Sequence, residues 1–300
     1  MRGASIALGN FDGLHKGHQA VIDAARAAAP DALGAPLGVA VFEPHPRRFF
    51  QPHAEPFRIA SDPVRNRVLE TLDVDVLYRI PFDRTLSLMT DEAFAEEVLA
   101  AALGVGHVAV GWNFAFGRNR MGDGASLRRL GERLGFGVSL VDAVADGAAG
   151  DCSSTAIRAA LKAGDMAAAA RMMTRPWIID GVVQRGDQRG RTIGFPTANV
   201  PLGELVRPKL GVYAVVAHVE GEAEGRPGVA NIGRRPTFEG DDERLEVHLF
   251  DFDADLYGRR LAVEVRVFLR EEQTFDGIEA LKAQIAKDAK AARAALSERT

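Results

Sequence analysis

A short apolar run, Ser5-Ile6-Ala7-Leu8, leads into Gly9-Asn10-Phe11-Asp12-Gly13-Leu14-His15-Lys16-Gly17-His18. From Gln19 to Ala29 the chain turns alanine-rich, with Val21, Ile22 and Ala25 spaced for one helical face. The order is therefore strand, glycine-rich turn, helix, with two histidines three residues apart where the helix opens. A helix N-terminus presents unpaired N–H groups and a partial positive charge, which suits phosphate oxygens. Gly13 and Gly17 allow a ligand close to the backbone, and His15 and His18 can each donate an N–H without the fixed charge of lysine. A bare HxGH is equally compatible with a strand–turn–helix corner carrying surface histidines.

The 300 residues allow one large domain or two moderate ones. A formal net charge of -4 argues against a general nucleic-acid binder but leaves room for a nucleotide site with local positive charge. Strand residues begin almost at once, so no signal peptide is expected, and no apolar run approaches the roughly 18 residues of a membrane span. The single cysteine, Cys152, fits a reducing cytoplasm and reads as a small buried residue. Oligomeric state is not set by the sequence, and a homo-oligomer is compatible with it.

Strands are expected at 37–43, 74–78, 107–111 and 137–141, and helices at 64–72, 91–103 and 124–135. Such alternation implies a parallel, doubly wound sheet. Gly104 to Ala109 matches a loose GxGxxA pattern but precedes a strand, so it is no dinucleotide fingerprint. Pro44 and Pro46 are expected to hold His45 in an extended loop at the end of the second strand, where open α/β sheets bind ligands. In 111–122, aromatics alternate with Gly, Asn and Arg, a composition equally suited to stacking a flat ring or to a small satellite core of Trp112, Phe114 and Phe116. Ser153, Ser154 and Thr155 open the next helix with Arg158 about one turn in. Any one hydroxyl reads as an N-cap; together with the arginine they make a phosphate cradle. A helix over 161–173 stops at Pro176, which places the domain boundary between 174 and 175.

Beyond Trp177 short β runs at 177–184, 212–219, 227–232, 244–250 and 260–268 suggest an antiparallel barrel. A long final helix carries an apolar stripe of Phe275, Ile278, Leu281, Ile285, Ala289, Ala292 and Leu296. The Gly- and Arg-rich run 186–194 reads either as a mobile basic hairpin before a proline-fixed strand start or as a loop over nucleotide phosphates, with Thr197 and Asn199 offering oxygens to Mg²⁺. In 245–249 alternation sets Leu245, Val247 and Leu249 against Glu246 and His248, which on periodicity alone reads as a half-buried strand with a solvated polar face.

GNFDGLHKGH at a first strand–helix turn resembles the HxGH nucleotidyltransferase superfamily, and its FDGLHKGH form is similar to the adenylyltransferase half of bacterial bifunctional riboflavin kinase/FAD synthetases. FEPHP, the GWNFAFG loop and SSTAIR resemble that family's blocks, as do GFPTAN, NIGRRPTF, LEVHLFDF with DLYG, and FLREEQTF. Relatives commonly have Gly where Thr174 stands in MTRPW, a change expected to matter little.

The resemblance implies an α/β fold, a Rossmann-like nucleotidyltransferase domain over 1–174 followed by a β-barrel riboflavin kinase domain over 175–300 with a long C-terminal helix. It implies phosphorylation of riboflavin to FMN and adenylylation of FMN to FAD, with ATP, riboflavin and FMN as substrates and Mg²⁺ as cofactor. Gly9, Phe11, Gly13, Gly17, Asn113, Ser153, Ser154 and Thr155 would bind nucleotide in the first half, and Gly186, Arg191, Gly194 and Asn231 in the second. His45, Asn113 and Arg118 would contact flavin. His15, His18 and Arg158 would serve adenylyl transfer, and Glu246 would be the general base of the kinase. An adenylyltransferase for another phosphate acceptor would not need GFPTAN, and a non-catalytic flavin carrier would not need HxGH, SSTxIR and Glu246 together.

Overall fold

The structure, a computed structural model, describes residues 2–29, 34–147, 150–186, 194–237 and 240–297, and the side chains of 235–242 are not among them. Arg191, most of the 186–194 loop and Phe238 thus lie outside the described residues. The chain divides into two compact units, Met1–Glu55 with Arg65–Ser153, and Pro56–Val64 with Ser154–Thr300.

In the first unit, β1 (Ser5–Leu8), β2 (Leu37–Glu43), β3 (Val76–Pro81), β4 (His107–Gly111) and β7 (Gly137–Val141) form one parallel sheet in the order β3-β2-β1-β4-β7, and β5 (Ala115–Phe116) and β6 (Gly122–Asp123) pair antiparallel as a separate short ribbon. Its central strands are apolar on both faces because both faces are covered. Ile6 and Leu8 enter a core with Phe94, Leu99, Val108, Val110 and Leu127. On the opposite face Ser5 Oγ donates to Ala25 O (2.5 Å) in helix α1 (Lys16–Ala28), whose Val21, Ile22 and Ala25 are buried. The expected helix over 91–103 begins as a short α-turn at Asp91–Ala93 and continues as a π-helix over Phe94–Leu103, ending on left-handed Gly104.

Two boundaries differ from expectation. Pro46 opens a short helix, α2 (Pro46–Phe50), where an extended loop is expected; proline at the first helical position lacks only an N–H that would be orphaned there anyway. His45 keeps a non-helical conformation as the N-cap. The stretch 154–173 is two helices, Ser154–Ala163 and Met166–Met173, separated at Gly164 (φ +79°) with Asp165 capping the second through Ala168 N–H (2.9 Å).

In the second unit, β8 (Trp177–Val182), β9 (Ala198–Pro201), β10 (Gly211–Val219), β11 (Arg226–Thr237), β12 (Gly240–Leu249) and β13 (Arg260–Arg270) pair antiparallel in the order β8-β13-β10-β11-β12-β9. Gln184 N–H donates to Asn199 O (2.9 Å), bringing the two ends of the sheet together into a nearly closed barrel. The final helix, Ile278–Ser297, packs Ala289, Ala292 and Leu296 on Val212, Val229 and Phe250. Ile278, placed in the apolar stripe by spacing, is 59% exposed; it is the helix's first residue, and the stripe reaches the barrel only further along. The segment 56–64 joins this unit through Trp177 Nε1, which donates to Ile59 O (2.7 Å), and through Arg58, whose N–H donates to Glu204 O (2.9 Å).

Thr174 is not the neutral linker residue that sequence suggests. It caps the Met166–Met173 helix with φ +61°, ψ +15°, the left-handed conformation that favours glycine. A β-branched residue there costs about 1–2 kcal/mol of steric strain, partly offset by the extra unfolded-state entropy of glycine. Thr174→Gly is therefore expected to stabilise the second unit by about 0.5–1 kcal/mol, read as a higher urea midpoint at unchanged slope.

Candidate active site

In the first unit the sheet order reverses between β1 and β4, and their loops leave adjacent carboxyl ends; in open α/β sheets this is where the ligand crevice lies. The turn after β1 uses left-handed backbone at Phe11 (φ +50°), Gly13 (φ +89°) and Leu14 (φ +44°) to carry the chain into α1. Phe11 and Leu14 are buried, so these two bulky residues are held in that conformation by packing. The Phe11 ring backs Gly9, where an added Cβ would lie 3.3 Å from it.

His15 is the N-cap of α1, 7% exposed, and its Nδ1 accepts the His18 N–H at 3.3 Å. Nδ1 is thereby assigned as the acceptor, so in the neutral ring the proton sits on Nε2. His18 stacks on it with ring centroids 3.7 Å apart at 21°, and Phe11 lies 5.1 Å from the His18 ring. Gly17 is required by crowding: a Cβ would sit 3.1 Å from the His15 ring and 3.4 Å from Cys152 O. Gly17→Ala should push His15 off its cap and lower FAD formation several-fold with FMN formation unchanged; equal FAD rates for both proteins would show that the His15 pose is unimportant. Lys16, between the two motif histidines, pairs with Asp146 (3.2 Å) in the hairpin before Cys152 and Ser153. Spacing gave no sign of that long-range pair.

At the end of β2, the Glu43 carboxylate accepts from Arg65 Nη2 (2.6 Å), and Arg79 approaches it at 3.6 Å. The Glu43–Pro44 bond is cis, and His45 Nδ1 accepts the Arg47 N–H at 3.1 Å. Sequence reasoning missed the aromatic group beside it, in which Phe49 and Phe50 meet Phe82 edge-on at 5.3 and 5.7 Å. In the loop after β4, Phe114 and Phe116 stack at 5.5 Å, and Phe116 joins the core. Trp112 is 59% exposed, so a three-ring satellite core does not form. Asn113 and Arg118 are exposed on this loop, whose Trp112 N–H is tied to Val141 O (2.8 Å). Ser153 closes the first unit, whereas Ser154, Thr155 and Arg158 belong to the second, where Arg158 Nε donates to Phe57 O (2.7 Å) and lies over the Phe57 ring.

The second unit contains a cavity of about 340 Å³ between the barrel and its final helix. Asn199, Glu246 and Asn231 are directly paired across the neighbouring strands β9, β12 and β11, so all three point to one face. Leu245, Val247 and Leu249 point the other way into the barrel, as alternation predicts. The polar face is half-buried rather than fully solvated: the final helix and the segment before it stand alongside it, and Thr197, Asn231, Glu246 and His248 line the open cavity between them. Asn199 is 6% exposed, and Gly186 backs it so closely that a Cβ there would come within 2.5 Å of its amide nitrogen. His248 Nδ1 lies 2.9 Å from Pro196 O, a pure acceptor, so Nδ1 carries the proton and ties GFPTAN to β12. Gly194 is exposed at the start of that motif with φ +87°.

A parallel α/β unit with a histidine-bearing turn at its switch point, followed by an antiparallel barrel whose cavity carries Thr197, Asn231 and Glu246, fits a two-part nucleotide-using transferase. The FAD synthetase family model matches residues 1–156, and the riboflavin kinase family model matches residues 173–296. The chain is 43% identical over 296 residues to the bifunctional riboflavin kinase/FMN adenylyltransferase of Pseudomonas fluorescens, covering 98% of this chain and 93% of that one. It is 41% identical over 291 residues to the Escherichia coli K12 protein of the same name, covering 97% and 92%. Among solved structures, one described as a macrolide-efflux protein from Streptococcus pneumoniae matches with a TM-score of 0.86 at 30% identity, covering 98% of this chain and 95% of its own. No helix among the described residues here is long and apolar enough to cross a membrane. The chain belongs to the bifunctional riboflavin kinase/FMN adenylyltransferase family.

Proposed function

We infer that this chain phosphorylates riboflavin to FMN with one ATP and adenylylates FMN with a second, giving FAD and pyrophosphate. We assign adenylyl transfer to residues 1–174 and the kinase to 175–300, supported by the ranges of the two family models. The observation that carries the residue assignment in the kinase is the convergence of Thr197, Asn231 and Glu246 on one cavity, with Asn199 in register beside them.

In that cavity Glu246 accepts the proton of the terminal ribityl hydroxyl as its oxygen attacks the γ-phosphorus of ATP. Thr197 and Asn199 fit Mg²⁺, since both offer neutral oxygens and Asn199 is buried on the face that carries Glu246. When bound with ATP, the ion neutralises phosphate charge; the protein needs to supply only one or two ligands, because Mg²⁺ keeps waters and phosphate oxygens for the rest. Asn231, Gly186, Arg191 and Gly194 are assigned to the nucleotide, Arg191 and its loop from the sequence motif alone.

In adenylyl transfer an FMN phosphate oxygen attacks the α-phosphorus and pyrophosphate leaves. A phosphate monoester is already ionised near neutral pH, so no general base is needed. His15 and His18 act as donors to the phosphates, His15 through the Nε2–H that its Nδ1 cap bond leaves as the ring's proton-bearing nitrogen. Gly9, Phe11, Gly13 and Gly17 shape the turn that receives them. Ser153, Ser154, Thr155 and Arg158 are assigned to phosphate oxygens from SSTxIR, and His45, Asn113 and Arg118 to the flavin from their motifs. We place the enzyme in the cytoplasm, acting on small molecules without nucleic-acid or membrane partners, which the acidic net charge supports. ATP labelled at the γ-phosphate should label FMN, and ATP labelled at the α-phosphate should label only FAD. Label from the α-position in pyrophosphate, or none in either flavin, would contradict the reaction order.

A further inference from the structure

We propose that Asp288 is a positioning residue of the riboflavin kinase site, acting through Arg270 to seat the segment 271–277 as the cavity wall that faces riboflavin. The inference rests on the reading of this cavity as the kinase site.

Arg270 ends β13, and Asp288 lies in the final helix. Arg270 Nε donates to Asp288 Oδ1 (2.9 Å) and Nη2 to Oδ2 (2.6 Å), a two-pronged pair that fixes the plane of the guanidinium as well as its distance. Gln284 Nε2 also donates to Asp288 Oδ1 (2.8 Å), and the Asp288 residue is 6% exposed. The other prong of the guanidinium, Nη1, donates to Glu271 O (2.8 Å), and Cζ stands 5.8 Å from the Phe275 ring centre. Two residues on, Glu272 Oε1 accepts from Asn231 Nδ2 (3.2 Å) on β11. The start of the segment is therefore tied twice, at Glu271 through Arg270 to the final helix and at Glu272 to the strand beside Glu246, and the Arg270 guanidinium reaches Phe275 further along.

Arg270, Glu272, Phe275 and Asp288 all line the cavity that holds Glu246. Next to them Leu281 and Ile285 make the wall apolar, suited to a flat tricyclic ring and poorly suited to phosphates. A buried ion pair is rarely more stabilising than a well-packed apolar pair of the same volume, whereas its geometry is far more directional. The pair's contribution is thus to the pose of Phe275 and its neighbours, and it acts on riboflavin binding more than on the proton transfer at Glu246.

The test measures riboflavin binding by quenching of flavin fluorescence without ATP, alongside kinase kinetics, in the full chain. For Asp288→Asn, the Kd and KM for riboflavin should rise roughly tenfold or more, with kcat changed less than about threefold. Adenylylation of supplied FMN should be unaffected. The paired variant Arg270→Met with Asp288→Leu removes the fork without leaving a lone buried charge, so it folds even where Asp288→Asn does not. It should lose riboflavin affinity to the same extent. Wild-type riboflavin affinity in the folded paired variant would overturn the proposal, and so would a fall in kcat at unchanged Kd. Glu246→Gln, assayed in parallel, separates the two readings: normal FMN formation by it means the cavity is not the kinase site, whatever Asp288 does.

Discussion

His18→Ala should lower FAD formation by about 10²–10³-fold while FMN continues to form at the wild-type rate. His18 is the cleaner of the two histidines to remove, because its hydrogen bond to the His15 cap comes from its backbone N–H, which an alanine keeps, and only the ring's stacking on His15 and Phe11 is lost. His15, by contrast, is the helix cap, and replacing it would cost about 1 kcal/mol of stability besides any catalytic loss. Loss of one preorganised donor to a developing phosphate charge lowers kcat by about 10²–10³-fold. Because the reaction needs no base, that loss should be flat with pH above the second ionisation of FMN. Unchanged FAD formation would strip His18 of its role. A parallel drop in both activities from a folded protein would mean that the two reactions share a site.

Glu246→Gln should produce the reverse pattern. The amide keeps the shape of the side chain and its place opposite Asn199 and Asn231 but cannot take a proton. General-base catalysis contributes about 10²–10⁴-fold, so FMN formation should fall by that amount while FAD is still made from supplied FMN. A rate within about threefold of wild type is far below that range and would remove Glu246 from the mechanism.

The local geometry of the turn was legible in the sequence where the backbone leaves few choices of residue. Gly13 stands at φ +89°, and Gly17 has a histidine ring against its Cα, so FDGxHxGH is a record of local geometry. The alternation in β12 likewise put Glu246 on the correct face. What covers that face could not be read locally. One wall of the cavity comes from a helix whose first residue, Ile278, is exposed and whose contact with Arg270, through Asp288, spans 18 residues. The membership of 56–64 in the second unit rests on a tryptophan N–H meeting a backbone carbonyl 118 residues away, and periodicity carries no such information. Pro46 and Thr174 were misjudged for opposite reasons: a proline is well suited to the first position of a helix, and a linker position can demand left-handed backbone.

The most direct test of the central claim is a time course of the purified chain with riboflavin, ATP and Mg²⁺, with the flavins separated by chromatography. FMN should appear first and then decline as FAD accumulates. Folded protein that leaves riboflavin unchanged would contradict the account at its root.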